Sequence, residues 1–166
     1  MNKYLHVILL LDVILLLVMR LTFEIMYSIV YNEIAKYKEV TVMTPKETVS
    51  RFFQEGYTNR NFDFVMECMS ENYIDHSPAG ARSNADAVGI LKIVAEQYIY
   101  LNAKMIDIFA EGGMVATRVL YDGLHRETGR HITFEALENF KVENARIVES
   151  WGYWPDREIE QKLNGE

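Results

Sequence analysis

The chain is poor in cysteine, proline and histidine, with one, three and four of them. A single thiol, Cys68, cannot close an intramolecular disulfide, so a disulfide-stapled scaffold is excluded and the redox compartment stays open. So few prolines, with nine glycines in 166 residues, exclude collagen-like and low-complexity disordered classes. The histidines and the cysteine show no metal-ligand spacing, and no glycine-rich phosphate loop or nucleophile elbow is present. Positive charge is also short. Lys and Arg number 17 against 24 Asp and Glu, a formal net charge of −7. That balance lacks the basic footprint which binding to nucleic acid or anionic lipid requires. Neither a metal site nor a nucleic-acid partner is expected.

What is present divides in two. Mean hydropathy is near zero, but residues 1–43 hold four basic and four acidic groups, so the whole net charge belongs to residues 44–166. From Tyr4 to Met19 the chain has twelve Leu, Ile or Val and one charge, Asp12. At about −0.3 to −0.6 kcal/mol per aliphatic residue against roughly +3 for a central Asp, membrane insertion is favourable. The run is about 24 Å long as a helix, short of the ~30 Å hydrocarbon core, so a span over residues 4–30 borrows its remaining length from the segment after Met19. In that segment Phe23, Met26, Val30 and Ile34 form one stripe, with Tyr27 and Tyr31 suited to an interface. An uncleaved membrane anchor is the favoured reading, because no small-x-small cleavage site follows Met19. A signal peptide led by Lys3 and a hydrophobic helix docked on protein are the alternatives. Lys3 on one side faces Arg20, Lys36 and Lys38 on the other, so orientation stays open.

The rest reads as one α+β domain over residues 44–164. Thr44-Pro45-Lys46-Glu47 is a capping box with proline at the first helical position, and Val49, Phe52, Phe53 and Tyr57 make one apolar face. A short helix over 62–69 enters at Asn61, an alternating strand covers Tyr73 to His76, and Ser83 caps a third helix to about Leu101. Then the period changes to two. Strands are expected at 103–111, 114–123, 131–142 and 146–154, followed by a short polar helix from Asp156 to Leu163. A curved antiparallel sheet wrapped around three helices leaves a pocket between the layers.

Glu71 to Pro78, Asp122-Gly123-Leu124-His125, Thr128-Gly129-Arg130 and Phe140 to Trp151 occur in an order that resembles the SnoaL-like polyketide cyclases. These belong to the nuclear transport factor 2-like superfamily, which includes ketosteroid isomerase. The resemblance covers roughly residues 44–164. It implies a cone-shaped cystatin-like roll with an apolar cavity for a small, mostly apolar molecule, a homodimer, and no cofactor. It leaves function open, since the superfamily mixes cyclases, isomerases, dehydratases and binding domains. The family's longer loop after its glycine-x-histidine motif is shortened here to residues 126–130.

Glu138 is the most informative residue. Ile132, Phe134, Ala136, Phe140 and Val142 share its strand parity, so the carboxylate points to the core or cavity. In the cyclases an aspartate at what looks like this position is the general acid/base. The competing reading is a wall ion pair: a hairpin turning about Thr128 sets Arg118 opposite Glu138, which would lower its pKa. A turn about Asn144 sets Ser150 on its other side. His76 shares parity with Ile74, which makes it an inward imidazole assisting proton transfer or, alternatively, a packed one. Asp75 then points the other way, as a solvent or turn group. His125 fits the cyclases' motif as a substrate contact but lies on the order of 25 Å along the hairpin from Glu138, too far for a dyad. Tyr98, Phe134 and Trp151, with Phe52, Tyr153 and Trp154, either line a ring-binding pocket or fill the core. Catalysis thus rests on Glu138 and His76; a non-catalytic ligand-binding or dimerisation module of the same fold is the alternative.

Overall fold

The computed structural model describes residues 3–38 and 43–165, and the side-chain surroundings of residues 13–32 and 43–165. The chain divides into two compact units, residues 1–42 and 43–166. In the first, α1 (Lys3–Lys38) is one continuous helix. Its stretch Val13–Asn32 is long and apolar enough to cross a membrane, and none of it is buried. Phe23, Met26 and Val30 are all exposed, and the Tyr27 and Tyr31 rings stack at 6.1 Å. The side chains of Lys3, Asp12, Ile34, Lys36 and Lys38 lie outside the described residues.

The second unit has the expected α+β fold. Helix α2 (Pro45–Phe53) starts on the capping box: the Glu47 amide donates to Thr44 Oγ1 at 3.3 Å and the Thr44 amide to Glu47 Oε2 at 2.7 Å. A single wide π turn, Gln54–Thr58, continues it. Helix α3 (Phe62–Cys68) is capped by Asn61, and α4 (Asn84–Gln97) by Ser83. Five strands follow the chain as β1 (Met69–Asp75), β2 (Tyr98–Glu111), β3 (Met114–His125), β4 (His131–Glu143) and β5 (Arg146–Tyr153), and α5 (Asp156–Asn164) ends the unit. In the sheet they stand in the order β1-β5-β4-β3-β2. All neighbours are antiparallel except β1, which runs parallel to β5.

One helix boundary differs from expectation. The third helix stops at Gln97, and Tyr98 to Leu101 open β2 instead. Two guanidiniums hold that junction: Arg60 donates to the Tyr98 carbonyl at 3.0 Å and Arg126 to the same oxygen at 3.2 Å. Tyr98 itself is extended (φ −116°, ψ 144°) and pairs with His125 of β3, which takes it out of the helix.

The core lies between the helices and the inner face of the sheet. Val49, Phe53, Val65, Met69, Tyr121, Phe140 and Ile147 are at most 1% exposed. Phe52 and Phe53 from α2 meet Phe140 of β4 at 5.8 and 5.5 Å. Each such ring contributes roughly 1.5–3 kcal/mol by leaving water. This packing closes one end of the inner face and leaves the other open.

Candidate active site

The open end is a cavity of about 280 Å³. Phe52, Ile90, Leu91, Val94 and Phe140 form its apolar wall, and Tyr73, Asp75, Glu138, Ser150 and Trp154 form a polar end. Ser77 to Ala79, Gly152, Tyr153 and Asp156 border it as well. Glu138 sits as the alternation of β4 predicts, inward and 7% exposed. Its Oε1 accepts from Tyr121 Oη at 2.8 Å and from Trp154 Nε1 at 3.3 Å. Oε2 has no hydrogen-bond partner, and no side-chain oxygen or nitrogen is both fully buried and unpartnered among the described residues, so Oε2 opens to the cavity. Beside it on β5 is Gly152, where a Cβ would lie 3.4 Å from Oε2.

Burial pushes the Glu138 carboxyl up to about 7 and outweighs the Tyr121 and Trp154 donors, which act the other way; the nearby Asp75 adds to the rise. Tyr57 and Tyr121, their rings 5.2 Å apart, are both driven well above the ordinary tyrosine value, by burial first and by the Glu138 charge second. They stay protonated, and Tyr121 donates to Glu138.

The ion-pair reading of Glu138 fails on register. Thr117, not Arg118, lies opposite Glu138, and Arg118 pairs with Leu137. Arg118 is therefore on the outer face, where it binds Asp107 at 2.7 Å and Glu135 at 3.3 Å. A shift of one residue moves a side chain through the sheet. The pairing of Ser150 with Glu138 is corrected too, because Ser150 stands opposite Phe140. Ser150 nevertheless reaches the cavity, bonded to Tyr73 Oη and, at 3.2 Å, to Asp75 Oδ1.

The parity of β1 is the reverse of the expected one. Tyr73 is buried and Asp75 faces the cavity, while His76 points out. The imidazole stacks on Trp151 at 4.7 Å and meets Glu149 at 2.9 Å on the outer face. Neither His76 nor Trp151 lines the cavity. Tyr73 and Asp75 face inward because β1 joins β5 with Asp75 opposite Ser150, an inner-face residue. Asp75 accepts from the Ser77 amide at 2.8 Å and from Ser77 Oγ at 2.6 Å. Its role was missed; the Asp75-x-Ser77 pair before Pro78 is the only sequence signal that marks an oriented carboxylate there.

His125 and Tyr98 lie elsewhere, in a shallower depression beside α5. There the rings meet edge on at 5.4 Å, and His125 Nδ1 is 3.1 Å from Thr128 Oγ1. Phe134 is core, sandwiched with Tyr121 at 5.0 Å and Trp154 at 5.0 Å. Among the described residues no three His, Cys, Asp or Glu come together in a way that could hold a metal. Cys68 is buried and its thiol is pushed up to about 12 by burial, which leaves it inert.

Comparison with solved structures finds this architecture repeatedly. IdmH of Streptomyces antibioticus superposes with a TM-score of 0.68 at 22% identity, over 74% of this chain and 99% of that one. A SnoaL-like polyketide cyclase of Agrobacterium tumefaciens gives 0.64 at 15% identity, over 73% and 98%. An LEH-like epoxide hydrolase of M. tuberculosis gives 0.62 at 17% identity, over 73% and 90%. At such identities the likeness is one of fold. No curated protein matches the chain. Residues 49–150, more than half of the sequence, match the model of the SnoaL-like domain, and the chain belongs to that family.

Proposed function

We propose that the domain binds a small, mostly apolar molecule in this cavity and moves a proton on it with Glu138, without a cofactor. The observation that carries the reading is the Glu138 carboxyl itself: buried, paired with no cation among the described residues, anchored through Oε1 and open to the cavity through Oε2. A carboxyl near pH 7 is present in both protonation states at neutral pH, which is what a group that takes and returns a proton needs. The ionised form removes a proton from a carbon beside a carbonyl, and the protonated form returns it to carbon or oxygen. Cyclisation, isomerisation and dehydration all use that exchange. Tyr121 and Trp154 hold the carboxyl in one orientation, and the apolar wall keeps water from competing.

Deuterium exchange at the α-carbon of an aryl ketone such as tetralone, followed by mass spectrometry in heavy water, tests the reading. The full-length protein is expected to accelerate exchange and the Glu138→Gln variant to lose that acceleration. Equal exchange by both would leave ligand binding without turnover as the function.

Helix α1 supports tethering of the domain to a membrane. Deleting residues 1–42 is expected to release the protein from the membrane fraction without detergent; release of the full chain under the same conditions would remove the anchor. The outer sheet face, with Phe109, Leu137 and Tyr153 exposed, supports pairing of two copies. Light scattering of the full chain in detergent is expected to give a dimer mass, and a monomer mass refutes it.

A further inference from the structure

The charge inside the cavity has one sign. Glu138, Asp75 and Asp156 border it, and among the described residues no lysine, arginine or histidine does. Arg118, the one cation that sequence reasoning placed there, is on the opposite face of the sheet. A ligand bearing a carboxylate or phosphate would meet acids with no counter-charge, a costly burial.

Glu138 and Asp75 also stand in a definite relation. Asp75 lies opposite Ser150, and Glu138 opposite Gly152, two residues further along the same inner face of β5. The two carboxylates thus flank β5 from either side; two strand spacings across and two residues along put their backbones roughly 12 Å apart. Both line the same cavity, and no basic side chain among the described residues lines it with them. Glu138 is more than nine-tenths buried, yet its Oε2 has no hydrogen-bond partner among the described residues. The rings of Tyr73 and Trp154 border this end, and aromatic faces attract cations.

We propose that the ligand of this cavity carries a protonated amine: an apolar body against Phe52, Leu91 and Phe140, with its ammonium group between Glu138 and Asp75. The inference rests on the cavity being the functional site, and it names the class of molecule that the site takes. An ammonium offers three donors, which suit an open Glu138 Oε2 and the acceptor capacity left on Asp75. Tyr57, Tyr73 and Tyr121, the other titratable groups facing Glu138, stay neutral at physiological pH because burial raises all three. The field at this end is therefore set by the acids. An incoming cation stabilises the ionised form of Glu138, so binding near pH 7 expels protons.

Isothermal titration of the full-length protein in an uncharged detergent tests this with three probes that share one ring and differ in headgroup: naphthylmethylamine, naphthylmethanol and naphthoate. The amine is expected to bind at least about tenfold tighter than the alcohol, and naphthoate more weakly than either. Titrations in buffers of different ionisation enthalpy are expected to show proton release with the amine and none with the alcohol. Glu138→Gln and Asp75→Asn are each expected to shrink the amine preference while alcohol binding persists; the Gln variant keeps an acceptor for Tyr121 and Trp154 and so preserves the fold. An alcohol that binds as tightly as the amine, a carboxylate that binds tightest, an amine that does not bind, or a preference intact in both variants would each overturn the proposal. Ketone exchange without amine preference leaves proton transfer standing and removes this inference. Amine preference without exchange does the reverse.

Discussion

Replacing Glu138 by Gln keeps the side chain's length and an oxygen for Tyr121 and Trp154, and removes only the proton equilibrium. Burial raises this carboxyl from 4.5 to about 7 in the folded protein. At about 1.4 kcal/mol per pH unit, that difference corresponds to roughly 3 kcal/mol. The sign follows from where the proton is held more tightly. Between 4.5 and about 7 the folded state carries a proton that the unfolded state has lost, so stability falls as pH rises. The contribution is fully present below 4.5 and gone above about 7. A glutamine has no such dependence. Wild type and variant are thus expected to be similarly stable near pH 4.5, with the variant more stable by up to about 3 kcal/mol at pH 8.5. Urea unfolding of the full chain, followed by tryptophan fluorescence across that range, measures the difference. Other titrating groups cancel between the two proteins. A difference that does not change with pH would refute the burial of an unpaired carboxyl, and with it the proposed chemistry.

Three further substitutions separate the parts of the site. Ser150→Ala leaves the buried Tyr73 hydroxyl without its partner and is expected to cost about 1–3 kcal/mol in urea unfolding; an unchanged midpoint would show that the bond carries nothing. Gly152→Ala places a methyl group 3.4 Å from Glu138 Oε2, in ordinary contact, so the melting temperature is expected to hold while ketone exchange slows roughly tenfold. Unchanged exchange would mean that Oε2 is not the working oxygen. Arg118→Ala removes only exposed outer-face ion pairs, and both melting temperature and the pH response of Glu138 are expected to stay as they are. A shifted pH response would return Arg118 to the site.

How the strands pair explains which site residues were legible. The inward aim of Glu138 was readable because five apolar residues on one strand vote for the same face: Ile132, Phe134, Ala136, Phe140 and Val142 are each at most 5% exposed. Its neighbours were not. The β3–β4 turn closes with His125 donating to the Arg130 carbonyl and Leu124 opposite His131, which moves the hairpin axis by half a residue and sends Arg118 outward. At the β4–β5 turn, Asn144 and Ala145 both adopt positive φ, and an irregularity between Lys141 and Val142 then brings Gly152 beside Glu138. In β1 each parity offers one large apolar and one titratable residue, Tyr73 with Asp75 or Ile74 with His76, so alternation alone is a tie.

The sequence by itself determined the division into an apolar helix and an acidic α+β domain, the order of the elements, and the side of the sheet that Glu138 occupies. Those properties follow from local periodicity, where many residues repeat the same signal. Tertiary structure alone decided that Asp75 rather than His76 enters the cavity, that Tyr121 and Trp154 hold Glu138, and that no cation among the described residues accompanies it. Those depend on register, and register is set by turn geometry and cross-strand packing between residues far apart in the chain, where one residue of slip reverses the answer.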